Sequence, residues 1–243
     1  GYESFQTDNT TAGTDYVYFD SPTGTTDPAA ATIAFWAKSN FSGSYAPIGG
    51  FCTSGFNDLR FFIARKATTG SVRVYRKTTS SGVGVDDFAM PNGTADFGGG
   101  DMHHWCLVFE GGKNKVYFDG VLLGESATAL SDNLDLGSTN FSLGSQDGRT
   151  TGASASNYDD IRFYDSALTQ TEITHLASQR GIEGSPPVGL GDEQLWLCPS
   201  IANTTFDISG NGNNGTYQGG MATVADTDNG GSLAYSFDGQ DDA

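Results

Sequence analysis

The segment Tyr158-Asp159-Asp160-Ile161-Arg162-Phe163-Tyr164-Asp165-Ser166-Ala167-Leu168-Thr169-Gln170-Thr171-Glu172-Ile173 constrains the fold more than any other part of this chain. Ile161 and Phe163 alternate with Asp160 and Arg162, the period of a half-buried strand. Thr169 reads as an N-cap, because Glu172 three residues on completes a capping box in which each side chain satisfies an orphan amide at the helix start. Leu168 and Ile173 fall at the N′ and N4 positions of a hydrophobic staple, and Gly181 after Arg180 is the expected C′ stop. All these signals agree on one short helix closing a β domain.

Strand-like runs recur at 15–19, 32–38, 59–64, 71–77, 105–110, 115–119, 121–124, 140–143 and 158–164, with turn residues between them. Asp119-Gly120, set between Val116-Tyr117-Phe118 and Val121-Leu122-Leu123, predicts a tight hairpin, since a type I′ turn needs φ > 0 at both central residues. The 34 glycines and a charged fraction of only 17% suit short strands joined by tight turns. Many short strands with a single convincing helix mean an all-β sandwich and exclude an α/β fold.

Several of these runs also resemble one family. His103-His104-Trp105-Cys106-Leu107-Val108-Phe109-Glu110-Gly111-Gly112 and Val116-Tyr117-Phe118-Asp119-Gly120-Val121 are similar to the central hairpin of laminin-G-like domains. Those domains form part of the concanavalin A-like lectin/glucanase superfamily. Thr32-Ile33-Ala34-Phe35-Trp36-Ala37-Lys38, Asp15-Tyr16-Val17 and the 158–173 segment resemble other signatures of that family in the right order. Met102 and Trp105 depart from the usual residues, as core exchanges. The resemblance implies an antiparallel jelly-roll β-sandwich, concanavalin A-like, over residues 1–181.

Residues 182–191, with Ser185-Pro186-Pro187, read as a linker. Beyond it, Leu195-Trp196-Leu197, Asp207-Ile208-Ser209-Gly210-Asn211-Gly212-Asn213-Asn214-Gly215-Thr216 and Ser236-Phe237-Asp238-Gly239 resemble the beginning of another such unit. Tyr2-Glu3-Ser4-Phe5 stands at the corresponding place of the first. The chain thus has the pattern of about one out-of-phase period of a tandem array. Residues 192–243 either complete this sandwich in cis, complete a neighbouring copy in trans, or begin a second unit.

A formal net charge of −17 argues against nucleic acid and anionic membranes as partners. No apolar run approaches the ~20 residues of a membrane span, so membrane insertion is not expected. Arg60, Arg65, Lys66, Arg73, Arg76 and Lys77 make up half of the 12 cations. They read as the solvated face of one hairpin or as a docking stripe for an anionic glycan or acidic neighbour. Cys52, Cys106 and Cys198 are too few and scattered for a disulfide scaffold or zinc site.

Catalysis finds little support. A retaining glycosidase needs two carboxyl groups about 5–5.5 Å apart, hence same-face acids at short even spacing along a strand, and no glutamate here stands in such a run. Asp86-Asp87 and Asp159-Asp160 are adjacent pairs, whose side chains point to opposite faces of a regular strand. His103 and His104 lack a nucleophile elbow and a third metal ligand; one is expected at the sheet surface and the other inside. The 207–212 segment is similar to a calcium loop, but Gln218 stands where a bidentate Glu belongs, so tight Gly/Asn turns account for it better. The family resemblance implies a Ca2+ site with Asp159 as ligand and Asp20 and its flanking backbone as companions. Tyr45, Tyr75 and Trp36 are the candidate aromatics for stacking on sugar rings.

Two function classes fit these features. One is a non-catalytic carbohydrate-binding or adhesion module of a repetitive extracellular, cell-surface or virion-surface protein, with glycans as partners. The other is a structural block of a fibre, sheath or virion decoration, whose partners are neighbouring copies.

Overall fold

The computed structural model describes the backbone at 5–7, 16–20, 27–39, 46–53, 59–66, 69–93, 101–137, 139–143, 156–180, 188–198, 207–214, 216–218, 221–226 and 232–237. Side chains are described within 27–38, 48–53, 59–66, 69–93, 101–137, 139–143, 158–180, 188–198 and 207–214. The elements in chain order begin with β1 (Phe5–Thr7), β2 (Tyr16–Asp20), β3 (Ala30–Ser39), β4 (Ala46–Cys52), β5 (Leu59–Lys66) and β6 (Ser71–Lys77). Next come β7 (Val83–Ala89), β8 (His103–Glu110), β9 (Lys113–Phe118), β10 (Val121–Glu125), β11 (Asn140–Leu143) and β12 (Ser156–Tyr164). The helix α1 (Gln170–Ala177) precedes β13 (Leu195–Leu197), β14 (Thr216–Gln218), β15 (Met221–Asp226) and β16 (Ser232–Phe237).

These strands form two sheets. A nine-stranded sheet runs β10-β9-β8-β3-β12-β1-β16-β15, with β13 also paired to β12, and a seven-stranded sheet runs β14-β2-β11-β4-β5-β6-β7. Between them lies an apolar layer to which Ile33, Phe35, Leu107 and Phe109 contribute from one sheet and Phe51, Phe61, Ile63 and Phe141 from the other. The predicted jelly-roll sandwich is therefore the fold.

α1 covers the outer face of the nine-stranded sheet, where Ile173 and Leu176 meet Ala34, Cys106 and Val108. This explains why Trp105-Cys106-Leu107-Val108-Phe109 is apolar without alternation: odd positions enter the interlayer core and even positions lie under the helix. The capping box at Thr169 and Glu172 is formed, and the staple residues Leu168 and Ile173 are both buried. The helix ends earlier than the sequence predicts, at Ala177, where Ser178 caps it in an αR conformation by donating its amide to His175 O and Leu176 O. The Asp119-Gly120 turn has φ of 50° and 78°, as a type I′ hairpin requires.

Two strands carry no legible strand pattern. β4 contains Pro47, Gly49 and Gly50, residues that read as a turn. Gly50 is needed there: its φ is +141°, and a Cβ would stand 2.3 Å from Phe61 O on the neighbouring strand. β7, Val-Gly-Val-Asp-Asp-Phe-Ala, is the charged edge of the seven-stranded sheet.

The tail joins both sheets. β13 pairs antiparallel with β12 of the same chain, in the register Ile161↔Leu197, Arg162↔Trp196 and Phe163↔Leu195. β14 pairs with β2, and the β15–β16 hairpin reaches β1.

Candidate functional site

Among the described residues, two gatherings of charged side chains bear on a site, one on the outer face of each sheet. The first is built on β12. Its pairing with β3 shifts register between Asp159 and Arg162, and Asp160 takes φ 48°, so a β-bulge interrupts the alternation there. Asp160 and Arg162 are not half-exposed as the simple period predicts: their side chains are 2% and 1% exposed. The reason is a second segment laid over them. Arg162 donates from Nε and Nη2 to the two Asp160 oxygens at 2.9 Å each, and from Nη1 to Glu193 Oε1 at 3.2 Å. Its guanidinium lies 4.1 Å from the centre of the Trp196 ring, whose Nε1 donates to Asp160 Oδ1 at 2.7 Å. Ala34, the register partner of Arg162 on β3, is small enough to leave room beside it.

Glu193 is held in turn by the amides of Leu190 (2.6 Å) and Gly191 (2.9 Å) and by the Tyr164 hydroxyl (3.2 Å). Burial works against its charge, but the amide donors and Arg162 outweigh burial and hold its carboxyl below the ordinary range. Burial also opposes the Arg162 charge, and Asp160 more than restores it. Below this cluster, Asp207 organises the following loop. Its carboxylate accepts from the amides of Trp196, Ser209 and Asn213, each at 2.9 Å, the tight polar turn read from the sequence.

Asp159, the expected cation ligand, is fully buried. Its Oδ1 accepts from the Asp160 amide at 2.8 Å and its Oδ2 from Arg180 Nε at 3.0 Å. Burial pushes its pKa up to about 8, against the pull of Arg180. Arg180 thus occupies one oxygen of the carboxylate expected to hold calcium. Asp20 ends β2 in the other sheet, opposite Asn140, and its side chain lies outside the described residues. Among the described residues no group of three or more His, Cys, Asp or Glu side chains gathers for a metal ion.

The second place is the outer face of the seven-stranded sheet. Tyr75 on β6 packs there, half-buried, against a small cluster of Cys52, Leu59, Phe62 and Ala64. Beside it Arg73 forms a two-pronged ion pair with Asp87 (2.6 and 2.8 Å), which also accepts from Lys66 at 2.8 Å. The bond from Arg73 draws the Asp87 pKa down to about 2. Arg60 and Lys77 both meet Asp135. The six clustered cations therefore do not form one bare stripe. Arg65 and Arg76 are buried, and Arg76 bonds Asp86 and the carbonyls of Gly112 and Thr128. Asp86 and Asp87 point to opposite faces, as adjacent strand residues should.

Trp36 belongs to the other sheet. Its Nε1 donates to Gln179 O at 3.0 Å beyond the helix, and its ring meets His104 edge-on at 5.5 Å. Burial drives the His104 pKa down to about 3, whereas His103 pairs with Asp119 at the surface. Trp36 and Tyr75 thus lie on different sheets with the core between them, and Tyr45 lies outside the described residues. Sequence reading missed Trp196 and Arg180 as partners of the Asp-Asp pair, and Glu193 as a partner of Arg162. The usable signal was a lone arginine inside an otherwise apolar and acidic strand, which must find buried acceptors if anything covers it. All three cysteines are buried.

A family model described as the concanavalin A-like lectin/glucanases superfamily (Laminin_G_3) matches residues 11–174, more than half of the chain. No curated protein matches the chain in sequence. Among solved structures, the native heptameric SAP-like pentraxin from Limulus polyphemus is similar at TM-score 0.52 and 18% identity, over 72% of this chain and 80% of that one. The CBM40 domain of the Ruminococcus gnavus IT-sialidase, bound to α2,3-sialyllactose, is similar at TM-score 0.55 and 14% identity, over 72% and 96%. The binding domain of botulinum neurotoxin DC, in complex with SialylT, is similar at 0.52 and 12% identity, over 69% of this chain and 41% of that one. At such identities the likeness is one of fold.

Proposed function

The chain belongs to the concanavalin A-like lectin/glucanases superfamily, and from that premise we propose that it is a non-catalytic carbohydrate-binding or adhesion module of an extracellular, cell or virion surface. The observation that carries this reading is the Tyr75 face. There an aromatic ring stands beside the planar guanidinium of Arg73 and carboxylate of Asp87 and the ammonium of Lys66, held on paired strands. A pyranose ring would stack on Tyr75 while its hydroxyls exchange hydrogen bonds with the Arg73–Asp87 pair. Lys66 and Arg73 have Asp87 as partner, and Arg60 and Lys77 have Asp135. Two carboxylates offset only two of those four positive charges, so the face keeps a net positive charge and suits hydroxyl-rich glycans that also carry an acidic group.

The acids support a binding role without hydrolysis. Asp160, Glu193 and Asp159 are committed to arginines and amides, and Asp86 and Asp87 are engaged on opposite faces. Neither set offers two free carboxyl groups across one bond. Among the described residues no helix is long and apolar enough to cross a membrane.

A glycan array followed by calorimetry tests the proposal, with and without calcium. Tyr75→Ala should weaken binding about 30-fold, the ~2 kcal/mol typical of truncating a central interface aromatic. Trp36→Ala should leave it unchanged. A bound glycan indifferent to Tyr75→Ala would overturn the site. Failure of every glycan with an intact fold would favour the structural-block reading, and release of reducing ends from a bound polysaccharide would sink the non-catalytic one.

A further inference from the structure

Strand register lays out the outer face of the seven-stranded sheet in rows. Phe62 on β5, Tyr75 on β6 and Val85 on β7 stand opposite one another; Ala64, Arg73 and Asp87 form the next row, and Lys66, Ser71 and Ala89 the one after. Exposure rises across the first row: Phe62 is buried, Tyr75 is half-buried, and Val85 on the edge strand is 46% exposed. The open apolar platform is therefore Tyr75 with Val85. Arg73 lies two residues from Tyr75 along β6, about 6.8 Å away, and a side-chain hydrogen bond joins it to Tyr75.

The charges beside this platform are unequal in number. Asp87 Oδ2 accepts from both Arg73 Nη2 and Lys66 Nζ, each at 2.8 Å, and Oδ1 accepts from Arg73 Nε. Two cations thus rest on one carboxylate, and their side chains stay 30% and 28% exposed. An ammonium carries more N–H groups than the one Lys66 gives to Asp87, and a guanidinium more than the two given by Arg73, so donors remain on both. This local surplus stands in a chain of net charge −17. Salt screens exposed charges beyond about 8 Å at physiological ionic strength. A single acidic group placed here therefore meets the local cations, whereas a densely charged polymer would also meet the acidic remainder of the surface.

Resting on the sugar reading of this face, we propose that its ligand is a pyranose carrying its own carboxylate, and that Lys66 selects it. The ring stacks on Tyr75 and Val85. Its carboxylate, one row along, accepts from Lys66 Nζ and from N–H groups of Arg73 that Asp87 leaves open, so that two anions balance two cations. A planar guanidinium at the rim of an aromatic ring suits a planar carboxylate attached to the stacked sugar. Arg73 orients the platform, since it holds both Asp87 and Tyr75. Lys66 reaches the platform through Asp87, so its charge is the one that can be removed with the ring site left in place.

Two probes carry such a carboxylate from different sources, tetragalacturonate on a uronic acid and sialyllactose on a sialic acid. Each is titrated by calorimetry beside the same oligosaccharide with its carboxyl groups reduced to alcohols. The acidic form of one pair should bind about 5-fold more tightly than its reduced form, the upper end for an exposed ion pair, and which pair does so identifies the source. Lys66→Gln should abolish that preference and leave the affinity of the reduced form and the melting temperature unchanged, while Tyr75→Ala should weaken both forms alike. Equal binding of acidic and reduced forms, both weakened by Tyr75→Ala, would overturn this inference and leave the sugar site standing. A preference that survives Lys66→Gln would do the same. If neither pair binds while a neutral glycan binds through Tyr75, the carboxylate is again refuted alone; if Tyr75→Ala changes nothing, the site and this inference fall together.

Discussion

Replacing Arg162 by methionine removes one positive charge from a deeply buried site. The arginine side chain is 1% exposed, with Asp160 at 2% and Glu193 at 4%. Breaking a buried ion pair by deleting one partner costs about 3–5 kcal/mol, because the remaining charge stays desolvated. Two carboxylates are orphaned here, but neither is left bare: Glu193 keeps the Leu190 and Gly191 amides, and Asp160 keeps Trp196 Nε1. The loss should therefore fall near the middle of that range, at about 4 kcal/mol. For a chain of this size it lowers Tm by roughly 12 °C, at about 3 °C per kcal/mol. Urea unfolding followed by far-UV circular dichroism measures the first quantity and a thermal scan the second. Hydrogen exchange adds a local readout, since Leu195–Leu197 should lose protection before β3 or β8. Combining Arg162→Met with Asp160→Asn should recover part of the loss, as the second change removes one stranded charge. A loss below about 1 kcal/mol, or unchanged protection at Leu195–Leu197, would refute the view that this cluster holds β13 in place.

Two acids should shape the pH dependence with opposite signs. Asp87, lowered from 3.8 to about 2, contributes stability that is present above pH 3.8 and lost as pH falls through 2, so Asp87→Asn should flatten that acid limb of a stability–pH curve. Asp159, raised from 3.8 to about 8, contributes stability that is full below pH 3.8 and lost as pH rises through 8; Asp159→Asn should remove that decline. Persistence of either slope in its variant would count against the assignment. Gly50→Ala should cost more than about 2 kcal/mol, since it combines a positive φ with a Cβ in contact with the β5 backbone. Wild-type stability in that variant, read by urea titration, would show that the β4–β5 spacing yields easily.

Local chemistry was legible along the chain. Thr169 and Glu172, Leu168 and Ile173, and Asp119-Gly120 specify their own backbone angles through contacts within a few residues, so a helix start and a type I′ turn appear where the sequence places them. Apolar runs such as 105–109 identify the β class and the core of the sandwich. The candidate site was less legible. Tyr75 and Trp36 both read as candidate aromatics for one sugar site, yet sheet order separates them by the whole core. Pro47, Gly49 and Gly50 hid β4, because a glycine demanded by a neighbouring backbone looks the same in sequence as a glycine demanded by a turn.

Asp160 and Arg162 show most plainly where local reading stops. Alternation says that two faces of a strand differ; it does not say whether another segment will cover the polar one. The sequence by itself determined the strands, the capped helix and the sandwich class, because these follow from φ/ψ preferences and the burial of apolar faces. Tertiary structure alone decided that β13 lies on β12, that Trp196 covers the guanidinium, and that Glu193 and Arg180 neutralise charges on a bulged strand. Those pairings join segments separated by a linker and a helix, and the burial that makes a charge seek its partner exists only once the segments have met.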